Sequence, residues 1–238
     1  MSEVAAVGSS DTAEGRFARE AVRRSPAHRI HAAMGGVFAR RAGWDVPALY
    51  GTEQDELEAL KTGLGFGDVS ARGKIHLSGA VEPIIRSLSG STLEAQRTAP
   101  ITGGGMVARI ARDWALALVA PADEGRVLAS LGGEQDDAMA TDITSAMSAF
   151  LVAGPRLDEF FARSLTIDRA QLRPGHCAAT TWSRIPAVLV MRDLPSPAVE
   201  LFVSADHGRY AWETVRRLGE HLGGSPVGWR ALETWGWS

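Results

Sequence analysis

Between Gly43 and Gly79 the chain reads GWDVPALYG, a short helical stretch, then GLGFGDVSARGKIHLSG, and no other stretch restricts the fold as much. Trp44 and Tyr50 flank Pro47, and Gly51 closes the segment. Proline favours an extended backbone before it, so this run is expected to present two aromatic faces on one loop. Thr52 is placed to cap a helix, with Asp55 in the first turn, where a carboxylate suits the open N–H groups and the positive end of the dipole. Leu57, Leu60 and Leu64 fall on one helical face, and Gly63 and Gly65 end it. Asp68-Val69-Ser70 then leads into a strand with Ile75 and Leu77 on one side. An acid in such a turn is expected to bond local backbone N–H groups. Spacing alone favours the plainer reading, in which Trp44 and Tyr50 are core residues beside a loop.

Length and composition narrow the classes. The chain has 238 residues, enough for one large or two small domains with a sizeable core. A net charge of -3 offers no general basic field for nucleic acid or anionic membrane. No run approaches the length of a membrane span, and no basic start followed by an apolar core marks a secretory signal, so a cytoplasmic location is the default. The single cysteine, Cys177, excludes an intrachain disulfide or a zinc cluster of cysteines.

Residues 1–24 are small, polar and charged and read as a flexible arm; residues 25–238 read as the folded domain. Ser25-Pro26 suits a helix start. His28 and His31, three apart on that helix, permit metal ligation in principle, but a solvated face is the expectation and no metal site is assigned. Val37 to Ala42 reads as a short strand, 79–88 as a helix, 90–100 as a loop, and 106–110 with 114–120 as a hairpin. Gly103-Gly104-Gly105 lacks the ending of a phosphate loop and precedes a strand. Residues 121–131 read as a helix, and the Asp136-Asp137 pair as a solvated turn. Asp142-Ile143-Thr144 is expected to open a strand pair running through Ser148 to Ala153, followed by Gly154-Pro155 and a helix with Leu157, Phe160 and Phe161 inward. Strand, glycine, helix therefore occurs twice, at Ile75–Gly79–Ile84 and Phe150–Gly154–Phe160, which implies a pseudo-duplicated α+β domain of antiparallel sheets with packed helices. Strands follow at 176–182, 186–192 and 198–203, then a helix capped by Ser204. His176 and Cys177 are neighbours on a strand and point apart, so Cys177 reads as structural.

GWDVPALYG followed by GFGDVSARGKIHLSG resembles the entry to the folate-binding domain of the glycine-cleavage T-protein (aminomethyltransferase) superfamily. The later order DIT, strand, AGP, helix, RPGHCAAT, VELFV and YAWETV is similar to the gamma subunit of heterotetrameric sarcosine oxidase. The resemblance covers residues 25–238 and stops where T-proteins continue into a C-terminal barrel. It implies tetrahydrofolate as ligand, with Trp44, Tyr50 and Arg192 as cofactor-binding residues, and it names no catalytic residue. Two departures matter. The acid pair that follows Gly-Gly in T-proteins is replaced by Met106-Val107-Ala108. Arg192 runs into DLPSP, so the Tyr and Glu of the T-protein hairpin are missing. A pterin edge offers several donors to a carboxylate, and losing that acid costs on the order of 2–3 kcal/mol of affinity.

Two functions follow from the resemblance. One is the small subunit of a sarcosine-oxidase-like complex that oxidatively demethylates an N-methyl amine, with flavin on larger partner subunits and the one-carbon unit passed to tetrahydrofolate. The other is a free-standing folate-binding protein or one-carbon transferase. The iron–sulfur maintenance protein of the superfamily is a third reading, set back by the absence of its cysteine motif. No Gly-x-Gly-x-x-Gly fingerprint follows a strand, so flavin or NAD binding by this chain is not expected.

Overall fold

The structure, a computed structural model, describes residues 21–131, 137–165, 167 and 172–237. The arm as far as Glu20, and Asp136 of the carboxylate pair, lie outside the described residues. The chain opens with β1 (Arg23–Arg24), α1 (His28–Ala33), β2 (Val37–Arg41) and β3 (Trp44–Leu49), which form a small sheet in the order β1-β3-β2. After α2 (Glu53–Thr62) and β4 (Gly65–Asp68), it enters a five-stranded antiparallel sheet. That sheet holds β5 (Gly73–Gly79), β6 (Arg97–Pro100), β7 (Met106–Ala111), β8 (Trp114–Val119) and β9 (Ala138–Asp142), in the order β6-β7-β8-β5-β9. The helices α3 (Val81–Ser89) and α4 (Glu124–Ser130) belong to this half. The second half holds β10 (Met147–Ala153), α5 (Leu157–Ala162), β11 (Cys177–Trp182), β12 (Ile185–Arg192), β13 (Ala198–Ser204), α6 (Gly208–His221), β14 (Ser225–Pro226) and α7 (Trp229–Thr234). Its six-stranded sheet runs β11-β12-β13-β10-β4-β14, with β14 parallel to β4.

Alternation along the strands sorts the side chains into layers. Ala149, Leu151 and Ala153 of β10 share a core with Val188 and Val190 of β12 and with Leu116 and Leu118 of β8, so this core lies between the two large sheets. Phe150 and Val152 point the other way, to Phe160 of α5 and to Trp212 and Val215 of α6. Ile75, Leu77 and Val119 pack on Ile84 and Ile85 of α3 and on Val127 of α4. Helices α3, α4, α5 and α6 thus cover the outer faces of the two large sheets, the α+β arrangement expected, while α2 and α7 bring Leu60 and Leu232 into the inter-sheet core. The two strand–glycine–helix units occupy different sheets: Gly79 follows β5 with φ +86° and Gly154 follows β10 with φ +135°. A Cβ at either would lie 2.2 Å from Asp137 O or 2.4 Å from Gly63 O, so backbone approach as well as turn geometry requires glycine there.

Several local expectations are corrected. Trp44 to Leu49 is a strand, with Pro47 inside it opposite Phe38. The proline is tolerated because β1 covers only Trp44 and Asp45, leaving β3 a single neighbour at Pro47. The first helix begins at His28, not at Ser25-Pro26. Arg97–Pro100, read as loop, is the edge strand β6, drawn in by pairing with β7. Ile143 and Thr144 do not continue a strand; a 3₁₀ turn at Thr144–Ala146 hands the chain from one large sheet to the other. Ser204 makes no capping hydrogen bond; a second 3₁₀ turn, Ala205–His207, precedes α6. Thr52 caps α2 as expected, accepting from Asp55 N at 3.2 Å.

Candidate functional site

The alternation that puts Ile75 and Leu77 under α3 turns Lys74 to the opposite face of β5, and Glu200, between Val199 and Leu201, likewise faces away from α6. Arg72, Lys74 and Glu200 are at most 2 % exposed and Arg192 is 9 % exposed, so the space between the sheets holds a buried ionic cluster. Glu200 Oε1 accepts from Arg72 Nη1 at 3.3 Å, from Trp237 Nε1 at 3.0 Å and from Arg192 Nη1. Burial raises the Glu200 carboxyl, and the flanking Arg72 and Arg192 guanidiniums and the Trp237 N–H more than reverse this, leaving its pKa below the ordinary value. Burial also lowers the Arg72 guanidinium to about 10, against the pull of Glu200. Lys74 Nζ donates to Ser70 O at 2.9 Å and Arg72 O at 2.7 Å, tying the turn between β4 and β5. Desolvation lowers its pKa to about 7.

Above this cluster is a cavity of about 410 Å³, walled by Arg72, Trp229, Trp237, Val119 and Pro121, with Arg41 at its rim. Trp229 and Trp237 meet edge to face at 5.0 Å, and the Arg72 guanidinium lies 5.5 Å from the Trp237 ring centre. Glu200 is fully buried and is not among the residues lining the cavity.

A second polar chain lies beside Trp212 of α6. Tyr50 Oη is 2.6 Å from His31 Nδ1, and His31 Nε2 is 2.7 Å from Asp68 Oδ2. Asp68 Oδ1 accepts from Ser70 N at 2.9 Å, the local bond expected of this turn. Burial raises the Asp68 carboxyl, and hydrogen bonds from His31, Ser25 and Ser70 outweigh it, so its pKa is lowered. Burial and the nearby Asp68 and Glu56 carboxylates push the Tyr50 phenol well above 10.0. His31 is fully buried, 4.4 Å from the Trp212 ring, which corrects the solvated face expected for it. Beside it Glu56, 3 % exposed, accepts from Tyr50 N at 2.6 Å, Gly51 N at 3.2 Å and Gly228 N at 2.7 Å.

The three residues assigned to a cofactor from the resemblance do not meet. Trp44 is 5 % exposed in the inter-sheet core. Tyr50 is half-buried, with its hydroxyl turned inward to His31. Arg192 pairs with Glu200 and borders a separate cleft of about 350 Å³ with Arg173, Pro174 and Pro195. Cys177 is buried and its thiol donates to the Arg97 and Arg109 carbonyls at 3.5 and 3.3 Å; burial pushes its pKa to about 12, so it is inert as a nucleophile. Arg72, Glu200 and Trp237 were not singled out from the sequence. The available signal was a charge at core-facing register: Lys74 beside Ile75, and Glu200 inside an apolar strand.

Residues 27–235 match the family model described as the GCVT N-terminal domain. The chain belongs to that family. Among relatives of this GCVT-domain chain, the aminomethyltransferase of Streptomyces coelicolor is 26% identical over 230 residues, covering 90% of this chain and 62% of the relative. That of Saccharopolyspora erythraea is 25% identical over 231 residues, covering 89% and 62%. The GCVT-domain chain thus spans 62% of the length of these relatives. In structure it is similar to the glycine cleavage system aminomethyltransferase T from Bartonella henselae (TM-score 0.74, 15% identity, 90% of this chain and 62% of that one). It is also similar to a chain of the heterotetrameric sarcosine oxidase from Corynebacterium sp. U-96 (TM-score 0.60, 17% identity, 86% and 98%). Both likenesses are of fold. No helix among the described residues is long and apolar enough to cross a membrane.

The family implies tetrahydrofolate, and the described residues around the cavity fit it poorly. A pterin needs a reachable carboxylate for its donors. Glu200 is enclosed with Arg72, Arg192 and Trp237, Glu233 at the cavity is paired with Arg41 at 2.6 Å, and Met106 packs against the inter-sheet core.

Proposed function

We propose that this chain is the small, T-protein-like subunit of a sarcosine-oxidase-like flavoenzyme complex that oxidatively demethylates an N-methyl amine. Flavin sits on larger partner subunits, and the one-carbon unit passes to tetrahydrofolate held by a partner. The observation that carries this reading is the fate of Glu200: the buried carboxylate between the sheets is shared by Arg72, Arg192 and Trp237, so the fold keeps its shape without an acid for a pterin. In this role the chain's residues organise a surface and a cavity, and none acts as an acid or base on substrate.

The two tryptophan faces of the cavity favour the alternative, a free-standing folate-binding protein or aminomethyl transferase, because aromatic faces stack on flat heterocycles. Calorimetric titration of the purified chain with tetrahydrofolate, beside recovery of a tagged chain from its native host, separates the two. The subunit reading expects no titratable folate site and the recovery of flavin-bearing partners. Micromolar folate binding by the chain alone, with no flavoprotein recovered, would overturn it in favour of the alternative.

A further inference from the structure

The two large sheets part at both ends of the core they enclose. At one end is the cavity of Arg72, Trp229 and Trp237. At the other, where β8, β10 and β12 begin and β13 ends, a second cavity of about 580 Å³ opens between Trp114 on one sheet and Met147 and Phe202 on the other. Trp114 lies opposite Ser78 and Val119 opposite Gly73, so the length of β8, about 17 Å, separates the two mouths. Leu116 and Leu118 of β8 and Ala149 and Leu151 of β10 fill the core between them. Phe202 is fully buried, while Trp114 and Met147 are half-buried although both are large and apolar. Ser204, Asp206 and His207 complete the lining, which includes no lysine or arginine. Hydrogen bonds from Ser204 and from the His207 N–H, the latter at 3.1 Å, hold the Asp206 carboxyl below its ordinary value, so this end of the cavity is anionic. The two cavities differ in one further respect. The face of Trp237 already holds a cation of the chain, Arg72, at 5.5 Å from the ring centre, whereas among the described residues no guanidinium or ammonium lies over Trp114. The ring beside Trp114 is His76, edge to face at 6.4 Å.

We propose that this second cavity binds a small organic cation, a methylated ammonium carried on an apolar or aromatic body. The negative face of an indole attracts a cation, and methyl groups thin the hydration that an ammonium must give up on entering. Met147 and Phe202 receive the apolar body, the thioether because it adapts to irregular shapes and the ring because it stacks on flat ones. Asp206 supplies the counter-charge at the open end, where the ammonium keeps part of its water. An anion of the same shape meets a carboxylate and no basic partner. A neutral body gains the apolar contacts alone. This site stands apart from the subunit role proposed above, because each of its residues lies at the opposite end of the core from the tryptophan pair at Trp229 and Trp237.

The test is calorimetric titration of the full chain with benzyltrimethylammonium at low salt and about pH 8, above the ordinary range of histidine. Benzyl alcohol and benzoate serve as neutral and anionic bodies of similar shape. The expected result is saturable binding of the cation, about tenfold tighter than benzyl alcohol, with no binding of benzoate. Asp206→Asn, at an exposed position, is expected to weaken the cation about threefold or more and to leave benzyl alcohol unchanged. Ala179→Trp fills the cavity from its exposed edge on β11 without changing charge, and is expected to abolish binding of both. No binding of the cation, benzoate bound as tightly as the cation, or cation affinity unchanged in either variant would each overturn the proposal; the last would place the cation elsewhere, the other tryptophan-walled cavity included. Recovery of flavin-bearing partners by the wild-type chain tests the subunit reading separately: their absence sinks that reading and leaves the cation result standing.

Discussion

His31 and Asp68, 37 residues apart in the chain, meet at 2.7 Å in the core and join α1 to the end of β4. The contact also carries Tyr50, whose hydroxyl reaches the other imidazole nitrogen at 2.6 Å.

Replacing His31 by Ala removes the partner of a fully buried carboxylate. A destabilisation of about 3–5 kcal/mol is expected, measured by urea unfolding. His28→Ala, at a half-buried position beside Phe38, should cost far less. Equal effects at the two positions would refute the weight placed on the Asp68 bond.

Lys74 sets the alkaline limb of the stability curve. Its pKa falls from 10.5 in the unfolded chain to about 7 in the fold, so between these values the unfolded state holds the extra proton. Stability should therefore rise with pH from about 7 toward 10, by up to about 1.4 kcal/mol per unit, and level off below 7. Unfolding free energies taken across this range in wild type and Lys74→Met test it; the variant should lose this slope.

Glu200→Gln removes the carboxylate that Arg72 and Arg192 share. The expected loss is about 3–5 kcal/mol, again by denaturant titration. Because the Glu200 and Asp68 pKa values are lowered in the fold, both carboxylates contribute stability above their unfolded values and lose it as pH falls through the lower, folded ones. Glu200→Gln should accordingly flatten acid unfolding below about pH 4. An unchanged acid limb would mean that the cluster is not ionised as described.

Two glycines with positive φ separate geometry from space. Gly154→Ala places a Cβ against Gly63 O and strains φ; Gly104→Ala, at φ +110°, strains φ with open space around it. Strain alone costs about 1–3 kcal/mol, so the Gly154 variant should be clearly the less stable of the two in thermal melts. Similar melting temperatures would show that the backbone at Gly154 shifts freely.

Much of the frame was legible in the residues. The Thr52 cap, the β7–β8 hairpin and the two strand–glycine–helix units depend on neighbours a few positions apart, where periodicity and glycine geometry act directly. Trp44 to Leu49 was read as a loop because Pro47 argues locally against a strand; only the one-sided cover of β3 by β1 permits one. His31 was assigned to solvent because an isolated helix of six residues cannot show what packs on it.

The amino-acid order settles which residues alternate, where the chain turns and which strand faces carry charge, because those are local consequences of stereochemistry. It does not say which charges meet. Arg72 and Glu200 are 128 positions apart, and the Trp229 indole donates to Asp68 O across 161. Such pairs form only when two sheets close over one core and solvent leaves, since removal of water is what makes each buried charge require a partner. The stretch read as an aromatic loop is a strand leading into a polar relay for that reason, and the cavity is walled by residues whose meeting depends on packing.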